Sequence, residues 1–106
     1  MNVKVFVSIP MNGLSYEEIK TRMSEARSDA ERILGKEVVL VDSVFEYGDN
    51  SNPVEMLGRA IQAMSLADYV YFGIGWKNAR GCRAEHMIAV SYGMNVLHED
   101  MEAING

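Results

Sequence analysis

Cysteine is almost missing from this chain. Cys82 stands alone, which excludes an internal disulfide framework and fits a reducing compartment. Histidine is nearly as scarce. His86 and His98 share no metal-ligand spacing with Cys82 or with an aspartate, so neither a metal site nor a cofactor is expected. Positive charge is also short: 10 Lys and Arg against 15 Asp and Glu leave a net charge of −5. An extended nucleic-acid footprint needs clustered Lys and Arg against phosphates, so no nucleic-acid polymer is expected as a partner. No apolar run approaches the length that crosses a bilayer. Val3-Lys4-Val5-Phe6-Val7 alternates where a signal peptide would carry an apolar block. These absences point to a cytoplasmic protein with no membrane partner.

What the chain does have is material for one core. Its 106 residues are 48% hydrophobic, which suits a single domain over residues 1–106. A domain this small buries a limited share of its surface, so a homo-oligomeric interface is expected to help. Helix faces bearing Met56, Leu57, Ile61, Met64, Met87, Ile88 and Val90 are the natural contributors.

Strand and helix patterns alternate from end to end. Val3 to Ile9 reads as a strand, stopped by Pro10 and Asn12-Gly13. Ser15 with Glu18 three residues on is a capping box. Ile19, Met23, Ala26, Ala30, Ile33 and Leu34 then recur on one helix face, and Gly35 ends the helix. Glu37 to Val41 is a second, buried strand, and Asp42 to Asn52 a polar loop. Asn52-Pro53-Val54-Glu55 opens a second helix, with Asn at the cap and Pro at the first helical position. Met56, Leu57, Ala60, Ile61 and Met64 form its buried face. A strand at Tyr69 to Gly73, a helix from about Arg83, a short strand at Asn95 to Leu97 and a polar tail from His98 complete the chain. Such βα alternation predicts an α/β fold: a flavodoxin-like three-layer sandwich with a four-stranded parallel sheet of order 2-1-3-4. Ligands of such sheets bind where strands end and helices begin, here in a crevice between the first and third strands.

The stretch Gly73-Ile74-Gly75-Trp76-Lys77-Asn78-Ala79-Arg80-Gly81-Cys82-Arg83-Ala84-Glu85-His86 is the most informative for function. It places Glu85 in the first turn of a helix, where the dipole and free N–H groups favour an ionised carboxylate. The plain alternative is a favourable first-turn acid with no further role. Trp76 either stacks on a ligand's base or closes the core edge. Cys82 reads as a small buried thiol, and His86 points away from Glu85 on the helix. Arg80 and Arg83 flank the glycine and either meet a phosphate or stay solvated. Met11 is placed to line an apolar pocket wall. The first loop, Ser8-Ile9-Pro10-Met11-Asn12-Gly13, has too few hydroxyls for a flavodoxin phosphate loop, no receiver acids and no G-x-G-x-x-G.

Ser8-Ile9-Pro10-Met11-Asn12-Gly13, Ala67-Asp68-Tyr69-Val70-Tyr71-Phe72 and Gly75-Trp76 with Gly81-Cys82-Arg83-Ala84-Glu85-His86 together resemble the nucleoside 2-deoxyribosyltransferase superfamily, in its small bacterial and phage branch. The resemblance implies that Glu85 attacks the anomeric carbon of a nucleoside or 5′-nucleotide and expels the base, forming a glycosyl ester that passes to another base or to water. It implies a pocket shaped by Ser8, Pro10, Met11, Asn12, Gly75, Trp76, Asn78 and Gly81. It also implies a second acid on the helix before the third strand, where this chain has Ala60 beside Gly58 and Arg59. Asp68 lies at the wrong end of its strand to replace that acid, and Asp42 is better placed to protonate the base. The alternative expectation is a non-catalytic nucleotide-binding or interaction domain that has lost the acid.

Overall fold

The computed structural model describes residues 2–41 and 52–104. Four parallel strands form one sheet in the order β2-β1-β3-β4. They are β1 (Val3–Ser8), β2 (Val38–Leu40), β3 (Tyr69–Phe72) and β4 (Asn95–His98). Helices α1 (Tyr16–Leu34), α2 (Pro53–Met64) and α3 (Arg80–Ser91) connect them, and a single 3-10 turn at Trp76–Asn78 precedes α3. The expected α/β, flavodoxin-like order is the one found. Among the described residues, no helix is long and apolar enough to cross a membrane.

The period of two along the strands sorts the core into two layers. Val5, Val7, Ile9, Tyr71 and Leu97 pack on α1, whose buried residues are Ile19, Met23, Ala26, Ala30, Ile33 and Leu34, the face read from the sequence. Phe6, Val70 and Phe72 pack on the other side against Ala60 and Met64 of α2 and Ala89 of α3. Met56, Leu57 and Ile61 are only half-buried there.

Helix ends follow local chemistry. Ser15 and Glu18 form both bonds of the capping box, and Gly35 closes α1 in the left-handed conformation. Asn52 caps α2, its side chain accepting from the Glu55 N–H at 2.7 Å. Several boundaries differ from the sequence reading: β1, β2 and β3 are shorter by a residue at one or both ends. His98 belongs to β4, because it pairs in register with Phe72. In the tail beyond it, Asp100 takes a left-handed φ of 64°, and the Ile104 N–H bonds the Ile33 carbonyl at 2.7 Å. The chain thereby closes the α1 side next to β4.

Candidate functional site

Alternation along β1 turns Ser8, like Phe6, toward the α2 and α3 side. On α3 the inward positions are Cys82, Glu85 and Ala89, at helical steps of three and four. Ser8 and Glu85 therefore meet across the layer boundary. The Ser8 hydroxyl donates to Glu85 Oε1 at 2.6 Å, and Glu85 is 9% exposed. Burial pushes the Glu85 carboxyl above its ordinary range, and the Ser8 hydrogen bond holds it partly down. Cys82 is buried against the same pair. Burial pushes its thiol up, Ser8 holds it down, and the neighbouring Glu85 charge adds to the rise. An inert packing thiol is the result.

This corrects the expected electrostatics of Glu85. Helix α3 begins at Arg80, not near Arg83, so Glu85 is not in the first turn, which contains no acid. The open N–H groups of the helix start lie behind it, and desolvation rather than the dipole sets its proton affinity. The boundary moved because Gly81 does not break the helix. Ala79, extended at φ −110° and ψ 124°, is the true cap, and the 3-10 turn bends the chain before it. Gly81, Arg80 and Arg83 are consequently helical and do not frame a turn. The Arg83 guanidinium donates to the Lys77 carbonyl at 3.3 Å.

A second polar centre lies on the same face. His98 at the end of β4 faces α3, and its Nε2 is 3.3 Å from that of His86. Trp76 stacks on His86 with ring centroids 4.0 Å apart and planes 19° apart, and Phe72 meets His86 edge-on at 4.8 Å. Burial first, then His98 and Lys77, hold the His86 imidazole below its ordinary value. Sequence reasoning treated the two histidines separately. The signal that joins them is strand parity, once β4 is extended by one residue to His98.

The loops after β1 and β3 touch. A Cβ on Gly73 would sit 2.6 Å from Ile9 Cγ2, and one on Gly75, at φ +83°, would sit 3.5 Å from Pro10 Cγ. Gly73 thus permits the close approach, and Gly75 the left-handed turn into Trp76. Pro10 is half-buried, while Asn12, Gly75, Asn78 and Gly81 are exposed. Met11 packs onto the α1-side core. Asp68, at the start of β3, accepts from the Lys4 N–H at 2.9 Å, which ties strand ends far from Glu85. Ala60 is buried in the core under α2, and Asp42 lies outside the described residues. Two concavities open at the C-terminal ends of the strands. One, of about 330 Å³, lies on the α1 side between Arg22, Asp29, Tyr71 and Ile74. The other, of about 360 Å³, lies on the α3 side and is lined by Phe72, Trp76, Lys77, Asn78, His98 and Glu99, among others. Ser8 and Glu85 line neither. Among the described residues, no three His, Cys, Asp or Glu side chains gather as a metal site.

An open parallel α/β sheet with a buried carboxyl and a histidine pair at its C-terminal rim is an architecture that hosts many activities, so the fold alone selects none of them. Over residues 3–98 the chain matches the family described as Domain of unknown function (DUF4406), and it belongs to that family. No curated protein and no solved structure matches it significantly.

Proposed function

We propose that this domain cleaves the N-glycosidic bond of a nucleoside or 5′-nucleotide, or exchanges the base, with Glu85 as nucleophile. The observation that supports this reading best is the buried Ser8–Glu85 hydrogen bond. It joins the end of β1 to α3, and so two of the three stretches that carry the resemblance to nucleoside 2-deoxyribosyltransferases. Ser8 holds Oε1, and Oε2 attacks the anomeric carbon as the bond to the base breaks. An anion beside the reacting carbon stabilises the oxocarbenium-like transition state, as in retaining glycosidases. Attack requires the ionised carboxylate. Because burial raises Glu85, base release climbs with pH through a range above that of an ordinary carboxylate. Deoxynucleosides and their monophosphates incubated with the protein release free base, measured by chromatography, and Glu85→Gln stops it. Equal release by the two proteins sinks the assignment.

One observation favours a second reading, a nucleotide-binding domain without catalysis: the α3-side concavity beside Trp76 is not lined by Glu85. In that case wild type releases no base, yet a nucleotide raises the melting temperature by mass action. Homo-oligomerisation belongs to the same proposal. Met87 is 65% and Val90 57% exposed on the outer side of α3, apolar surface that a second copy of the chain would cover. Light scattering after size exclusion then gives at least twice the 11.8 kDa chain mass; a monomer at high micromolar concentration refutes assembly.

A further inference from the structure

The proposed nucleophile leaves the histidine pair unused, although the sheet register sets the two centres in one row. Ser8 pairs with Phe72 and Phe72 with His98, so the three residues sit side by side on adjacent strands, all facing α3. Adjacent strands lie about 4.8 Å apart, which separates the backbones of Ser8 and His98 by roughly 10 Å across Phe72. His98 also lines the concavity of about 360 Å³ with Trp76, Lys77, Asn78 and Glu99. Specific ligand pockets span about 300–1,000 Å³ and combine apolar or aromatic walls with a few placed polar groups. This wall offers aromatic surface from Phe72 and Trp76, donors from Lys77 and Asn78, and an acceptor from Glu99. That combination suits the face and edge of a nucleobase.

A departing base carries off the bonding electron pair and needs a proton. Resting on the N-glycosidic reading of Glu85, we infer that His98 is the proton donor to the leaving base and that His86 positions it. The two Nε2 atoms face each other at 3.3 Å, so Nδ1 of His98 is the nitrogen left to meet a ligand. The step starts from the singly protonated pair. Glu85 Oε2 bonds to the anomeric carbon while the carbon–nitrogen bond breaks, and the base nitrogen takes the Nδ1 proton of His98. His98 is left neutral, its Nε2–H donated to His86 Nε2. In the second half, water attacks the anomeric carbon, the ester bond returns its electrons to Glu85, and the water proton restores His98. One water is consumed and no oxidant or reductant is needed. The charged and titratable groups against His86 are His98 from β4 and Lys77 from the 3-10 turn; Phe72 and Trp76 supply ring faces. The ring stack with Trp76 fixes the orientation of His86 and through it that of His98.

The test compares a guanine deoxynucleotide with its 7-methyl derivative, whose cationic base departs neutral without a proton. His98→Gln is expected to cut release of guanine by about 10²–10⁴-fold, the usual weight of general acid catalysis, and to leave release of 7-methylguanine within a few-fold of wild type. His86→Gln produces a smaller loss on guanine, in kcat and not in KM, and again spares 7-methylguanine, as expected of a residue that only positions the donor. Equal losses on both substrates in His98→Gln, or none on either, overturn the donor assignment while Glu85 stands by its own variant. Release of both bases by Glu85→Gln at the wild-type rate sinks the nucleophile instead. Wild type inactive on both substrates sinks the N-glycosidic reading and the donor with it.

Discussion

The two faces of the sheet are built to different rules, although the same strands supply both. Toward α1, β1 and β3 present Val5, Val7, Ile9 and Tyr71, and the helix answers with an unbroken apolar stripe. The polar atoms there are tied in place: the Tyr71 hydroxyl donates to Asp29 Oδ2 at 2.7 Å, the Asp100 N–H to the same oxygen at 3.1 Å, and Arg32 to Oδ1. Burial pushes Asp29 up, but these three bonds outweigh it and hold the carboxyl below its ordinary value. Toward α3, the same strands present Ser8 and Phe72, and the helix answers with Cys82, Glu85 and His86. The buried carboxyl there, Glu85, is pushed up, not down. One face favours the ionised form of its half-buried carboxyl, and the other penalises that of its buried one. Perturbed carboxyls occur at functional sites and in structural networks alike, which makes Glu85 the group whose removal separates the two.

The largest expected effect sharpens that contrast. Ile33 is fully buried on the α1 side, and Ile33→Ala should cost about 2–5 kcal/mol in urea unfolding, through lost transfer energy and a cavity. Glu85→Gln keeps the shape and an acceptor for Ser8, so it should cost under about 1 kcal/mol near neutral pH, within the range of ordinary substitutions. The pH dependence should run in opposite directions on the two faces. The folded chain keeps the Glu85 proton to higher pH than the unfolded chain does. Its contribution is therefore fully present below the ordinary carboxylate range and is lost as pH rises through the raised folded value. Asp29 does the reverse: its contribution is present above the ordinary range and is lost as pH falls through the lowered folded value. Relative to wild type, Glu85→Gln should gain stability on going from acid to neutral pH, and Asp29→Asn should lose it. Parallel curves for the two variants would break the comparison.

The same contrast explains what was legible in the sequence. On the α1 side five inward residues of the helix recur at steps of four and three, with Leu34 beside the last, and Ser15, Glu18 and Gly35 mark its ends by local bonding. Nothing distant was needed to read them. The parallel sheet followed from βα alternation, and the order 2-1-3-4 was the choice of one common doubly wound order among those it allows. On the α3 side Glu85 and Ser8 were legible as residues, yet their bond depends on which way β1 turns its last side chain. The start of α3 was misread because Gly81, usually punctuation, sits inside the helix in open space. The histidine pair was invisible because it needs the lateral register of β3 and β4, which no single stretch encodes. The Asp29–Tyr71 tie, between residues 42 apart, was missed for the same reason.

The smallest expected effect tests whether the start of α3 was shaped for stability at all. Helix α1 has a complete capping box and α2 an Asn cap, whereas α3 begins at Ala79 with no side-chain bond to its first N–H groups. Alanine is among the poorest residues at this position, and the serine or threonine it replaces is typically worth about 1 kcal/mol. The backbone is already suited to a cap: Ala79 is extended, and its carbonyl accepts from the Arg83 N–H at 2.9 Å. Ala79→Ser adds a hydroxyl that can accept from the N–H two or three residues on, without altering the chain path. It should stabilise the protein by about 0.5–1 kcal/mol, read as a higher urea midpoint at unchanged slope. It should also leave the pH response of Glu85→Gln as it is, because Glu85 lies beyond the first turn, where helix-end charges act. A lower midpoint would show that Ala79 is held by packing that a serine disturbs. The missing cap would then be a feature of the core and not a stability optimum left unfilled at the working face.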